Sequence, residues 1–390
     1  MTLRVRAVPK AACCILALGL ALTALAGCQA TRVDADRQLT DALVGVREVN
    51  ASAWGVTVPG ISAAVFGSGN DMVSAVSGAA DPPGATSLQR EDRFHIGSVT
   101  KTFTAALIML LDQEGRLSLD DPVSKWLDYP GGETITVRML LGHTSGVPEF
   151  TDAVGLTRQE TPREAIGLAA SMEPTFTPGS GWAYSNTNYT ILGVVSEEAG
   201  GSTWEQQVRQ RFIEPLGLES TYLWSGQPQG PTVSGSRLAC GIPGEPDCKP
   251  QAGLALLPVV DGADWTLAWA AGSLVSTPQD MARWMKALVD GDVLDPEHRQ
   301  LLTTPTPQSQ AVLTDLPAFG STSWVGCSLG LMNYEVDGVG SAWGHSGSIN
   351  GFVANAAYFT ETQASVAVTS NFAMTDSFAA LGDVAAALTE

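Results

Sequence analysis

Histidine, cysteine and positive charge are all scarce in this sequence. The four histidines (His95, His143, His298 and His345) lie far apart, and there is neither an H-E-x-x-H nor a C-x-x-C pair. That excludes the usual zinc patterns, so no metal and no other cofactor is expected. Lysine and arginine total 21 against 40 acidic residues, a formal net charge of −19. Such a surface repels phosphate backbones and argues against nucleic-acid binding. No internal repeat or low-complexity tract occurs. Charged residues make up only 16% beside 44% hydrophobic ones, which excludes a disordered chain. With 390 residues there is room for one large domain or two intimately packed ones.

The N-terminus has the make-up of a targeting segment. Arg4, Arg6 and Lys10 precede an uncharged apolar run from Ala11 to Ala26, a length usual for a signal and short for a membrane span. The run ends in Leu25-Ala26-Gly27-Cys28, which resembles the bacterial lipobox. Residues 1–27 are therefore expected to be a lipoprotein signal, Cys28 the lipidated residue and 28–37 a tether. An ordinary cleaved signal or an uncleaved anchor is the plainer alternative. Without the three basic residues of the signal, 18 basic residues face 40 acids, a formal charge near −22. No later apolar run reaches spanning length, so the expected picture is an exported body held to the membrane at one end. Cys13 and Cys14 would leave with the signal. Cys240 and Cys248 flank a Gly/Pro-rich loop and are placed to close a small disulfide loop outside the cytoplasm, leaving Cys327 single.

Hydrophobic spacing predicts a helix over 38–49, through Leu39, Leu43 and Val46, and two strands over 61–66 and 72–76 joined by Gly67-Ser68-Gly69-Asn70. Phe94 to Gly97 leads into Ser98. A strongly apolar helix follows over 102–113, with Gly115 as its stop. From about 120 to 290, helical stretches alternate with Pro/Gly turns. Strands return over 327–334, 341–344, 352–359 and 364–370, and a final helix is predicted over 376–388. Strands at both chain ends with helices between predict an α/β (α+β) fold: an antiparallel sheet built from the N- and C-terminal segments, flanked by helices, with a mostly helical subdomain inserted over about 120–290.

Three short stretches carry chemistry. In Ser98-Val99-Thr100-Lys101 the i, i+3 spacing lets an amine reach a serine oxygen, and a buried lysine gains access to its neutral, proton-accepting form. The pair sits where a strand gives way to a helix, so the Ser98 N–H points toward developing negative charge. Tyr184-Ser185-Asn186 adds a phenol able to pass a proton if a cation such as Lys101 lowers its pKa, and an amide to hold the lysine. His345-Ser346-Gly347-Ser348 adds a glycine for close backbone approach and, at Ser348, a second N–H for an oxyanion. Each alone is commonplace: a serine beside a lysine, an aromatic in a turn, a half-buried imidazole. Chance brings all three together in this order only a few times in about a thousand such chains. Gly326-Cys327-Ser328-Leu329-Gly330 also matches the G-x-S-x-G elbow of other hydrolases, but an elbow needs a helix next, and here a strand continues.

These residues resemble the serine β-lactamase and penicillin-recognising superfamily, class C β-lactamase-like, and within it the actinobacterial D-Ala-D-Ala carboxypeptidase branch. Ile96 to Lys101, Tyr184 to Asn188 and His345 to Gly347 match its three motifs. Leu141-Gly142-His143-Thr144-Ser145-Gly146, Pro215 to Leu218 and Ala271 to Thr277 are further echoes, so the likeness spans about 61–371. The resemblance implies a β-lactamase/transpeptidase-like fold over 38–390, with Ser98 acylated, Lys101 and Tyr184 sharing the base role and Asn186 positioning both. It implies that His345, Ser346, Gly347 and Ser348 line the strand a substrate joins, and that Thr151 and Trp269 line the pocket.

Two departures from the family pattern bear on substrate. His345 stands where β-lactamases carry the lysine of K-T-G. No Lys or Arg follows Arg299, so the arginine that pairs a substrate carboxylate in that branch is missing. Either a protonated His345 with hydroxyls takes that carboxylate, or the natural substrate lacks one. The expected activity is a cell-envelope serine hydrolase acting on a small peptide, amide or ester, such as a D-Ala-D-Ala or D-amino-acid peptide. A carboxylesterase or weak β-lactamase is the alternative on the same fold. A lipid-anchored penicillin-binding sensor and a purely structural envelope protein are the non-catalytic ones.

Overall fold

The first strands of the chain pair with the last. The computed structural model describes residues 34–53, 55–67, 71–81, 84–151, 161–238, 256–259 and 267–387. Helix α1 covers 34–53, followed by β1 (Gly60–Phe66) and β2 (Met72–Gly78). After β3 (Phe94–His95), a single 3₁₀ turn (Gly97–Val99) opens α2 (Thr100–Gln113). The middle of the chain supplies α3 (Val137–Leu141), α4 (Pro162–Ala170), α5 (Asn186–Gly200), α6 (Trp204–Val208), β4 (Tyr222–Leu223), β5 (Ser236–Leu238) and β6 (Leu256–Pro258). Next come α7 (Trp269–Gly272), β7 (Leu274–Ser276), α8 (Pro278–Val289), α9 (Pro296–Leu302) and α10 (Pro307–Leu313). The chain closes with β8 (Thr322–Cys327), β9 (Met332–Val336), β10 (Gly340–Ile349), β11 (Phe352–Phe359), β12 (Ala364–Ser370) and α11 (Ser377–Ala386).

Seven strands form one sheet in the order β2-β1-β12-β11-β10-β9-β8, with antiparallel pairing throughout. Ile61 faces Ser370 and Phe66 faces Ser365, so the two ends of the chain close the sheet as expected. Alternation decides what each face meets. Ile61, Ala63, Val366 and Val368 join Leu39, Leu43 and Val46 of α1 and Leu381 and Val384 of α11 in one core. Ala64, Ala354, Ala356 and Ala367 join a larger core with Met281, Met285 and the apolar side of α2 on the other face. Helix α8, at the end of the stretch read as a helical subdomain, packs across β1, β11 and β12 rather than with the mid-chain helices.

Helix α2 is buried almost all round, because it runs between the sheet and the mid-chain helices. Its threonines satisfy polar atoms that would otherwise be orphaned there. Thr102 accepts from Trp284 Nε1 (2.7 Å), and Thr104 accepts from Trp204 Nε1 (3.0 Å) while donating to the Ala270 carbonyl (2.7 Å).

Two strand expectations are corrected. Residues 327–334 are not one strand: β8 ends at Cys327 and β9 begins at Met332. Gly330 sits between them at φ 121°, and a Cβ there would lie 2.3 Å from that of Ala105. Only glycine fits both demands, and the apolar run conceals the turn. Ser328 is buried in that turn, its hydroxyl donating to Leu302 O and accepting from Leu331 N, which makes it a turn brace and no nucleophile. The strand read as 341–344 runs on to Ile349, so His345 to Ser348 lie within β10 rather than after a strand. Cys28, Cys240 and Cys248 lie outside the described residues, and Cys327 is a free, buried thiol.

Candidate active site

The site forms where the start of α2, the start of α5 and the open edge of β10 meet. Lys101 follows Ser98 by one helical turn and is fully buried. Its Nζ lies 2.9 Å from Ser98 Oγ, 2.7 Å from Asn186 Oδ1 and 2.8 Å from the Ala271 carbonyl oxygen. Two of these neighbours can only accept, whereas the hydroxyl can donate or accept. A neutral amine has two N–H donors and one lone pair, so this surrounding fits it without remainder: N–H to Asn186 and Ala271, lone pair to Ser98. Burial pushes the Lys101 amine down to about 7, against an upward pull from the Glu149 carboxylate. Near neutrality the serine hydroxyl therefore faces an amine able to take its proton.

Tyr184 completes the group. Lys101 Nζ stands 4.9 Å from the Tyr184 ring centroid, and the Ser98 hydroxyl is near enough to act on the phenol. The expectation that Lys101 would lower the Tyr184 pKa is not met. Burial pushes the phenol well above its ordinary range, outweighing the downward pull of the Ser98 hydroxyl. A lysine that is itself poised near neutrality supplies little fixed charge to oppose that. Tyr184 is thus a neutral hydroxyl that can receive and hand on a proton, while Lys101 is the group placed to accept one from Ser98.

Backbone packing on β10 gives the site its donors. Ile349 pairs with Phe352 across the two-residue Asn350-Gly351 turn, with Gly351 at φ 87°, so Ser348 opposite Val353 belongs to a non-hydrogen-bonded pair. Its N–H and C=O therefore point away from β11. On that side β9 pairs only with 340–344, and beyond it the Gly97–Val99 turn presses in. A Cβ on Gly347 would stand 2.0 Å from Ile96 O and 2.9 Å from Ser98 N. One on Gly97 (φ 50°) would stand 2.9 Å from Ser348 N. Glycine at 347 thus serves the approach of the Ser98 turn, and with Gly97 it lets the Ser98 and Ser348 amides lie close together, an arrangement able to receive an oxyanion.

The remaining expected residues are less uniform. His345 is buried and faces Tyr184, with ring centroids 6.2 Å apart. Its Nδ1 donates to the Ser346 carbonyl (2.6 Å), and burial, aided by Lys101, holds the imidazole down to about 3. Its burial thus disfavours the alternative of a protonated His345 as carboxylate partner. The Ser346 hydroxyl rests on the Met332 thioether at 3.7 Å, a weak acceptor. Thr151 donates both its N–H and its hydroxyl to Glu149 Oε1 (3.1 and 2.7 Å). Trp269 does not bring its ring to Ser98. A Cβ on Gly193 would come within 2.5 Å of the indole, and Trp204 lies edge-on at 6.2 Å. That is two turns, about 10 Å, along α5 from Asn186. Position 269 feeds the core; the useful atom of α7 is the Ala271 carbonyl.

Glu149 carries no motif, and sequence reasoning passes it over. Its Oε2 accepts from Asn186 N, a close contact that caps α5 where the Ser185 side chain makes no cap. The signal is invisible locally because its partner is a backbone amide 37 residues away. Within reach of Lys101 and Tyr184, its carboxylate is the one acid among the described residues whose charge acts on both.

With this geometry established, comparison with known proteins gives a consistent answer. The family model described as "Beta-lactamase" matches residues 47–390. The chain is similar to penicillin-binding protein 4 of Amycolatopsis lactamdurans, 29% identical over 305 residues, 75% of this chain and 76% of that protein. It is also similar to the putative penicillin-binding protein PbpX of Bacillus subtilis, 27% identical over 217 residues, and spans about half (51%) of that relative. Among solved structures, a D-stereospecific amidohydrolase from a Streptomyces species superposes with a TM-score of 0.71 at 29% identity, over 89% of this chain and 98% of that one. The D-amino acid amidase of Ochrobactrum anthropi SV3 in complex with D-phenylalanine superposes with a TM-score of 0.77 at 25% identity, over 91% and 99%.

The lysine environment predicts a pH profile. Acylation of Ser98 by an activated ester should rise with pH as Lys101 loses its proton, with a midpoint near 7. Asn186→Asp replaces a neutral acceptor with an anion that favours the ammonium, so the rise should move up by about one unit or more. An unmoved midpoint, read by stopped-flow or quenched mass spectrometry, would show that another group is the base.

Proposed function

The chain belongs to the beta-lactamase family, and we propose that it is a serine hydrolase that transfers acyl groups from small D-amino-acid amides, peptides or esters to Ser98 and then to water. One observation carries the reading: a buried amine with two obligate acceptors and a serine hydroxyl at 2.9 Å. Ser98 Oγ attacks the carbonyl carbon as its proton passes to Lys101 Nζ, and the oxyanion develops against the Ser98 and Ser348 N–H groups. Collapse breaks the bond to the leaving amine or alcohol, which takes a proton delivered from Lys101 through the Tyr184 hydroxyl. Water then attacks the acyl ester, gives its proton to the amine, and Ser98 departs as the hydroxyl.

Charge narrows the substrate. Among the described residues a terminal carboxylate meets no free cation beside Ser98: His345 is neutral, the Lys101 nitrogen is already committed to three partners, and no Lys or Arg follows Arg299. The Glu149 carboxylate suits a substrate with a free amine instead. This favours an amide or short peptide with a free N-terminus over a carboxypeptidase substrate, in keeping with the likeness to proteins named a D-stereospecific amidohydrolase and a D-amino acid amidase. The same reading places the enzyme at the cell envelope on a lipid at Cys28, supported by the Leu25 to Cys28 sequence a few residues ahead of α1. Fatty-acid labelling that survives Cys28→Ala would remove that part.

The deciding experiment compares a D-amino-acid amide, a D-Ala-D-Ala peptide, an aryl ester and a chromogenic cephalosporin on one preparation. The amide should be turned over fastest, and Ser98→Ala should lose at least about a thousandfold on every working substrate. Preference for the D-Ala-D-Ala peptide would restore the carboxypeptidase reading. Ester turnover alone would replace both with an esterase.

A further inference from the structure

We infer that His143 is a positioning residue that holds Tyr184 against Ser98 by taking the backbone amides on both sides of that tyrosine, through its own carbonyl and an unprotonated Nδ1. The inference rests on the reading of the site given above. His143 lies in the Leu141 to Gly146 stretch, 4% exposed, and touches neither Ser98 nor Lys101 by any hydrogen bond. Its carbonyl accepts from Ala183 N at 3.1 Å, and its Nδ1 accepts from Ser185 N at 3.2 Å. In extended chain, amides two residues apart point to the same side, so one residue can take both. Ser185 is extended (φ −146°, ψ 124°). The residue between the two held amides is Tyr184, and its ring lies against the imidazole, with centroids 4.5 Å apart and planes inclined by 30°.

The protonation of His143 follows from its neighbours. Nδ1 also lies 3.2 Å from Asn188 Nδ2, and the orientation of that amide is fixed from its other end, because the Ser145 hydroxyl donates to Asn188 Oδ1 at 2.7 Å. Two N–H groups therefore converge on Nδ1, which leaves no room for a hydrogen there and puts the ring proton on Nε2. Burial and the nearby Lys101 keep the imidazole neutral, well below its ordinary range, so the clamp stays set across the working range of the site. The backbone at 143 is left-handed (φ 57°), a conformation that a bulky side chain adopts rarely and asparagine tolerates. The position thus demands a left-handed backbone and an acceptor one bond beyond Cγ. Histidine and asparagine meet both demands; glycine meets only the first.

That contrast is the test. His143→Asn puts Oδ1 where Nδ1 stands, and His143→Gly relieves the backbone but supplies no acceptor. For acylation of Ser98 by an activated ester, the Asn variant should stay within about tenfold of the parent and the Gly variant should fall by about a hundredfold or more, mainly in kcat. In a Tyr184→Phe background the same His143→Gly change should cost less than about threefold, because the group it positions is gone. Equal rates in Asn and Gly variants, or a His143→Gly loss that persists undiminished without the Tyr184 hydroxyl, would overturn the inference. Nitrogen-15 NMR of histidine-labelled parent protein reads the tautomer with no substrate at all: a bare Nδ1 supports the clamp, and a proton on Nδ1 refutes it. A parent protein that forms no Ser98 adduct but shows the expected tautomer would sink the hydrolase reading while leaving the clamp standing.

Discussion

The structure depends on how one buried amine is surrounded. Lys101 has no contact with solvent, and its nitrogen meets an amide oxygen, a backbone carbonyl and a hydroxyl. Two obligate acceptors consume two N–H groups, and the third direction is left for the lone pair. The desolvation that makes a buried ammonium costly is the same influence that leaves a free amine available to Ser98 at neutral pH. Each of the three partners comes from a different part of the chain, so the amine is set only when α2, α5 and α7 are packed together.

Much of the architecture serves that meeting. Helix α2 crosses the interior with its threonines satisfying two indoles, which lets a helix with polar residues run through an apolar core. The hairpin β10–β11 has its outward amides near the turn, and glycines at 97 and 347 allow the nucleophile's turn to sit directly on that edge. The stretch from His143 to Phe150 is stitched to the start of α5 by His143, Ser145, Pro148 and Glu149, so that Tyr184, Asn186 and the cap on α5 move as one piece. A neutral His345 in place of a lysine leaves this site, among the described residues, with no lysine besides Lys101, which shapes the choice of substrate as much as any pocket wall does.

What was legible in the sequence follows physical locality. Ser98 and Lys101 are one helical turn apart, and spacing alone puts their side chains on one side. The inner strands β1, β11 and β12 read correctly because they run apolar between clear turns. Tyr184 and the 345–348 stretch of β10 were picked out by residue type and supported by resemblance, which fixes position but not orientation. It placed Trp269 in the pocket, whereas Gly193 opens a slot that takes the indole into the core. Resemblance also could not tell that burial, more than Lys101, would set the state of Tyr184. The break at Gly330 hides inside an apolar run, and Glu149 acts through an amide far along the chain, so neither leaves a local pattern.

The most direct check of the account is the ionisation of Lys101 itself. With the lysines labelled at Cε and the Lys101 signal identified by its loss in Lys101→Met, NMR titration should show that resonance moving with a midpoint near 7. A Lys101 signal that stays in the ammonium form through pH 9 would contradict the account, because the amine could not then be the group that takes the proton from Ser98.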